Sequence, residues 1–157
     1  MYSFFFLFVG KQKSGPFRDL AEEYLKRIGP YAKVIVREIP EESFRSEQDR
    51  ERVLALETES IRAAIPDGAL VVVLDASGKG MNSVHLSEAM AAWSEQERRT
   101  LAFVIGGPLG VHDALKKEAD VLLSLSPMTF PHDLARVLLL EQLYRALMIQ
   151  KRKTYHY

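Results

Sequence analysis

The chain has no cysteine among its 157 residues. That absence removes disulfide staples, thiolate zinc sites and cysteine nucleophiles together, and it suits a reducing compartment. An excess of charge is also missing. The 21 basic and 21 acidic side chains cancel, so no global field draws the protein onto nucleic acid, and any RNA contact must come from a local patch. No apolar run approaches the roughly 20 residues that span a bilayer. The strongest candidate, Phe4-Phe5-Phe6-Leu7-Phe8-Val9, has no basic side chain before it, and Gly10-Lys11-Gln12-Lys13 follows where a signal peptide needs small residues. A buried first strand is the expectation. Nucleotide signatures are lacking too. Gly78-Lys79-Gly80 has neither the upstream glycine nor the following Ser/Thr of a phosphate loop, and Gly106-Gly107-Pro108-Leu109-Gly110 does not fit the dinucleotide fingerprint. The four histidines, His85, His112, His132 and His156, show no metal-ligand spacing, and no Ser-His-Asp set stands out.

What is present is a core. With 47% hydrophobic residues, a single domain over residues 1–157 buries enough apolar surface to need no staples. Ser3 to Val9 reads as a strand covered on both faces. From Phe17, Leu20, Ala21, Tyr24, Leu25 and Ile28 recur at helical spacing until Gly29-Pro30 stops them. Val34 to Ile39 is a second strand. The charged stretch Glu41 to Arg52 reads as a mobile loop entering a helix that runs to about Ala64. Ala69 to Leu74 makes a central third strand, followed by a flexible loop, Asp75-Ala76-Ser77-Gly78-Lys79-Gly80. A helix over Ser83 to Glu95, a strand over Thr100 to Ile105, a short helix around Asp113 to Glu118 and a strand over Val121 to Leu125 come next. Alternating strands and helices predict an α/β fold with a largely parallel sheet and helices on both faces.

Three loops stand apart: Asp75 to Gly80, Gly106 to Gly110, and the proline-stiffened Leu125-Ser126-Pro127-Met128-Thr129-Phe130-Pro131-His132-Asp133. Each follows the carboxyl end of a strand, the edge at which open α/β sheets bind ligands. Pro131 falls just before or at the start of the last helix, where its missing N–H costs nothing. In that helix Leu134, Val137, Leu138, Leu140, Leu143, Tyr144, Leu147 and Met148 wrap most of the circumference. Such a helix needs cover on more than one side, and a second copy of the chain is a natural cover. Composition and spacing by themselves support a small-molecule site at one sheet edge. A non-catalytic RNA- or ribosome-binding protein on the same fold, or an enzyme using another nucleotide, stays open at this level.

Taken in order, several motifs resemble a known family. They are Val73-Leu74-Asp75 with Ser77-Gly78-Lys79; Phe103-Val104-Ile105 with Gly106 to Gly110; Leu123 to Ser126 with Met128 to His132; Arg136-Val137, Glu141-Gln142 and Tyr144-Arg145-Ala146; and Tyr155-His156. The chain resembles the bacterial large-subunit ribosomal RNA methyltransferases of the H type, within the SPOUT superfamily, from Val9-Gly10-Lys11 to its final residues. That resemblance implies a C-terminal trefoil knot whose loops hold S-adenosylmethionine in a bent pose, and a cytoplasmic homodimer without metal or membrane. It also implies methyl transfer to N3 of a pseudouridine in 23S rRNA on assembled ribosomes. By motif position the cofactor contacts would be Leu74, Gly106, Leu125, Ser126, Pro127, Met128, Thr129 and Phe130. N3 carries a proton at neutral pH, so a base would help, and His132 and His156 are the candidates. Tyr155 would stack on the target base, and Arg136, Arg145, Lys151, Arg152 and Lys153 would meet phosphates. The chain departs from its relatives at Tyr157, where they end on a basic residue, and at Tyr2, where they carry lysine.

Overall fold

The computed structural model describes residues 1–95 and 100–152. Five strands, β1 (Tyr2–Val9), β2 (Ala32–Ile39), β3 (Leu70–Gly80), β4 (Thr100–Ile105) and β5 (Val121–Ser124), form one sheet in the order β2-β1-β4-β3-β5. Every pairing among them is parallel. Five helices connect or close them: α1 (Pro16–Ile28), α2 (Arg50–Ala64), α3 (Ser83–Glu95), α4 (Asp113–Glu118) and α5 (His132–Gln150). The expected parallel α/β sheet is therefore the observed one.

The side-chain period of two along β1 explains the two-sided cover. Phe4, Phe6 and Phe8 pack with Ala21 and Ile28 of α1, Leu86 and Met90 of α3, and Val137, Leu140 and Leu143 of α5. Leu7 and Val9 face the other way, toward Ile61 of α2 and Leu115 of α4. Phe6 stacks on Phe103 of β4 at 5.6 Å between ring centres, so the phenylalanine run is a ladder within the core.

Local chemistry sets the helix ends. Pro16 opens α1, and Lys26 and Arg27 occupy its last turn, where cations suit the helix dipole. His112 caps α4, its Nδ1 accepting the Ala114 N–H at 3.0 Å. That bond leaves the ring proton on Nε2, which donates to Glu51 Oε1 at 2.6 Å. The charged stretch before α2 contains a short 3₁₀ turn over 47–49.

Three sequence expectations are revised. The segment Asp75 to Gly80 is extended: Lys79 and Gly80 rejoin the ladder opposite Leu123 and Ser124 after a register break that follows Leu74. Glycine permits the approach, because a Cβ on Gly78 would lie 2.7 Å from the Leu122 carbonyl oxygen. The second side of α5 is covered within the chain, by α1 and α3. Ser87 Oγ of α3 donates to Ala146 O at 3.0 Å, and Tyr24 of α1 meets Tyr144 with ring centres 6.3 Å apart. Arg136, expected at a phosphate, is 1% exposed. Its Nη2 donates to Val9 O at 2.8 Å and Gly10 O at 2.7 Å, and its guanidinium lies 5.0 Å over the Phe8 ring. Those carbonyls end β1, where the chain turns away at Gly10, so the arginine closes a strand end that has no further ladder partner on that side.

Replacing Arg136 by methionine orphans two buried carbonyls and strips Asp133 and Glu38 of their nearby cation. The expected loss is about 3 kcal/mol or more of unfolding free energy, read by urea denaturation. Lysine at the same position, with no planar fork, should recover less than half of it.

Candidate active site at the carboxyl edge of the sheet

β4 and β5 end on either side of the register break in β3, and that break together with the chain leaving β4 and β5 walls one cavity of about 640 Å³. Leu74, Asp75 and Ala76 come from the break in β3. Ile105 and Gly106 to Gly110 follow β4. Leu125, Ser126, Met128, Thr129, Phe130, Pro131 and His132 follow β5, with Ala135 from the first turn of α5. The volume lies in the range of drug-sized ligand sites, about 300–1,000 Å³.

Each wall is stiffened from behind. In the loop after β4, Gly110 N–H donates to Gly107 O at 2.9 Å. The backbone of this turn folds onto itself so closely that a Cβ on Gly106 would sit 2.4 Å from Gly110 O. Arg50 Nη2 reaches Leu109 O at 3.4 Å, and Glu51 of the same helix holds His112 just beyond the turn. In the loop after β5, Ser126 Oγ accepts the Met128 N–H at 3.0 Å, a side-chain turn around Pro127. Met128 stands 74% exposed at the lip, an apolar side chain that the chain itself leaves uncovered.

The wall is mostly apolar or backbone, with two titratable side chains. His132 is half-buried, its Nε2 3.6 Å from Asp133 Oδ1. Asp75 is more tightly held. Its Oδ1 accepts the Ser77 N–H at 2.9 Å and the Ser77 hydroxyl, and its Oδ2 lies 3.0 Å from Lys116 Nζ. Burial pushes the Asp75 carboxyl up, but the Ser77 bonds and the Lys116 ammonium together outweigh it and hold it below the usual carboxylate range.

Of the expected cofactor residues, Leu74, Gly106, Leu125, Ser126, Met128, Thr129 and Phe130 meet at this cavity. Pro127 does not line it and is exposed. His132 is brought to the same wall. Arg145 forms an ion pair with Glu141, Nε to Oε1 at 3.0 Å, on the half-buried side of α5. Lys151 and Arg152 are exposed at the end of α5. Lys153, Tyr155 and His156 lie outside the described residues. Among the described residues no group of three or more His, Asp or Glu is arranged to hold a metal, and no helix is long and apolar enough to cross a membrane. Sequence reasoning gave no role to Asp75 or Ala135. The signal for Asp75 was available in Asp75-Ala76-Ser77, since an aspartate two residues before a serine commonly closes a side-chain turn.

A family model described as predicted SPOUT methyltransferase matches residues 3–156. The chain belongs to the SPOUT methyltransferase family. It is 43% identical over 152 residues to a Burkholderia ambifaria (strain MC40-6) protein named ribosomal RNA large subunit methyltransferase H, 97% of each chain being covered. A Burkholderia vietnamiensis (strain G4) protein of the same name is 41% identical over the same shares. Among solved structures, a probable methylase family protein from Haemophilus influenzae superposes with a TM-score of 0.60 at 14% identity, over 98% of this chain and 70% of that one. A probable methyltransferase from Bordetella pertussis gives 0.56 at 16%, over 92% and 93%. A Legionella pneumophila methyltransferase solved with its cofactor SAM bound gives 0.51 at 14%, over 95% and 66%. At these identities the structures speak for the SPOUT fold alone. In this SPOUT chain the cavity lies wholly within the matched span, walled by Leu74 to Ala76, Ile105 to Gly110 and the segment from Leu125 to His132 with Ala135.

The turn after β4 has no room for a side chain at its first glycine. Gly106→Ala should cost about 1–3 kcal/mol in a denaturant titration. Gly107→Ala, whose added carbon would meet the Val9 side chain at 3.1 Å and Glu57 Oε1 at 3.9 Å but no backbone, should cost distinctly less.

Proposed function

We propose that this protein transfers a methyl group from S-adenosylmethionine to N3 of a pseudouridine in 23S ribosomal RNA, acting as a cytoplasmic homodimer on the assembled ribosome. The observation that carries the reading is the convergence of three loops on one largely apolar cavity. The near-full-length likeness to proteins named ribosomal RNA large subunit methyltransferase H supports it. The residues present fit the cofactor. Leu74, Leu125 and Phe130 offer apolar faces to an adenine, and the glycine turn and the segment from Leu125 to Phe130 offer backbone groups to its edges. Pro127 belongs to that segment as its bend.

When bound, the cofactor supplies a methyl group already activated on a sulfonium centre. What is left to the chain is placement of the acceptor in line with it and removal of the N3 proton. His132, in the cavity wall, is the residue we assign to that proton. Tyr155 and His156, from the tail of the second copy in the dimer, are assigned to the target base, and Arg145, Arg152 and Lys153 to the RNA backbone. Arg136 has no part in RNA contact, since its guanidinium is enclosed by β1 and α5.

The trefoil knot belongs to the same proposal. β5 is the edge strand beside β3, yet the helix that follows it packs between α1 and α3. In this proposal the segment 125–131 passes the β3–α3 connection, and Gly78 of β3 lets β5 lie close at Leu122 just before that segment. For the dimer, α5 keeps a half-exposed stripe of Leu134, Leu138, Glu141, Gln142, Arg145 and Ile149, a suitable surface for a second copy.

Calorimetry with S-adenosylmethionine tests the first half of the reading, and no heat sinks it. Incubating the protein with ribosomes from a strain lacking the gene, followed by mass spectrometry of 23S rRNA, tests the second; methylated pseudouridine is expected. Under these conditions His132→Asn should lower kcat by about 10²-fold or more. Deleting residues 154–157 should leave cofactor binding nearly intact and abolish methyl transfer. Full activity in the truncated chain would overturn the role given to the tail.

A further inference from the structure

The cavity holds one carboxylate. Among the residues that line it, Asp75 is the single side chain that is ionised at neutral pH apart from the titratable ring of His132. An acid placed against an apolar wall would normally shed its charge by taking up a proton. Here the opposite is arranged. Burial pushes the carboxyl up, and two bonds from Ser77 and one contact from Lys116 overcome it, so that the charged form is retained.

These partners do not saturate the group. Oδ1 takes both Ser77 donors and Oδ2 takes Lys116, and a carboxylate has about four acceptor positions. Nor does Lys116 neutralise the neighbourhood. Its ammonium also stands 3.5 Å from Asp113 Oδ1, so two carboxylates share one cation. Asp113 is 82% exposed and therefore well screened, whereas the Asp75 side chain is 18% exposed and belongs to a residue that lines the cavity.

Resting on the cofactor assignment above, we propose that Asp75 is the specificity-determining residue by which this cavity prefers the cationic methyl donor to its neutral demethylated product. The donor and S-adenosylhomocysteine share adenosine and an amino-acid zwitterion and differ by one methyl group and one positive charge. A fixed negative charge in a low-dielectric wall acts on that difference. It favours occupancy by the donor before transfer and release of the thioether after it. No movement of the protein is required, because Ser77 and Lys116 already hold the carboxylate in place.

The test is calorimetric and needs no RNA. The full-length protein and Asp75→Asn are titrated with S-adenosylmethionine and, separately, with S-adenosylhomocysteine. Asparagine keeps the shape and an oxygen for Ser77 but removes the charge. The donor's Kd should rise roughly tenfold or more, while the product's stays within about twofold. Equal losses for both ligands, or no loss for either, would overturn the proposal by reducing Asp75 to a loop brace. If the unaltered protein binds neither ligand, the cofactor assignment itself is wrong. If it binds both and Asp75→Asn weakens them alike, only the present inference fails.

Discussion

The guanidinium of Arg136 is the contact on which the rest of the architecture leans. A parallel strand that ends in the interior leaves carbonyls without partners, and each buried carbonyl left unpaired costs about 1–3 kcal/mol. Val9 and Gly10 end β1 beneath the first turn of α5, and Arg136 satisfies both from that turn. Burial pulls this arginine's pKa down, while Asp133, Glu38 and Glu41 offset the effect by their charge. The strand is thereby tied to the helix at the point where the segment 125–131 must arrive. Since His132 opens that helix and Pro131 immediately precedes it, the tie also fixes one wall of the cavity.

The site follows from sheet order. With β4 between β1 and β3, and β5 outside β3, the ends of β4 and β5 flank the break in β3 at one edge. Their loops can share a cavity only if each makes a short, stiff departure. Each does so by a different device: a register break held by Asp75 and Ser77, a glycine turn closed on itself, and a serine turn around a proline. None of the three devices relies on the ligand for its conformation, so the cavity is formed in advance, and binding is spared the cost of ordering loops.

The alternation of strands and helices was legible because period and composition are local properties. β4, α3 and α4 lie where apolar spacing and turn residues put them. What sequence reasoning misjudged was non-local. Asp75 to Gly80 has the composition of a flexible loop, and only the close approach of Leu122 to Gly78 makes it extended. Arg136 looks like a surface cation until Val9 and Gly10, 127 and 126 residues away along the chain, are seen against it. The wrapped hydrophobicity of α5 correctly announced a helix covered on several sides, but α1 and α3 do the covering. The cavity-lining segment from Leu125 to His132 was legible by motif. The role of Asp75 was not, because nothing in an Asp-Ala-Ser triplet tells that Lys116 of α4 stands behind it.

A neutral protein that works on RNA has to separate two electrostatic tasks. Attraction to a polyanion wants cations at the surface, whereas holding a sulfonium wants negative charge in the cavity. If both lay on the same loops they would cancel. The fold keeps them apart along α5. The exposed cations Lys151 and Arg152 stand at its carboxyl end, while His132 and the cavity lie at its amino end, across from Asp75. At about 1.5 Å per residue, the 19 residues of α5 put roughly 28 Å between the two ends. That is well beyond the screening length of about 8 Å at physiological salt. The basic end of one chain therefore cannot neutralise its own Asp75. With acidic and basic residues equal in number, it is the placement of these few charges, and not a net field, that keeps either task from weakening the other.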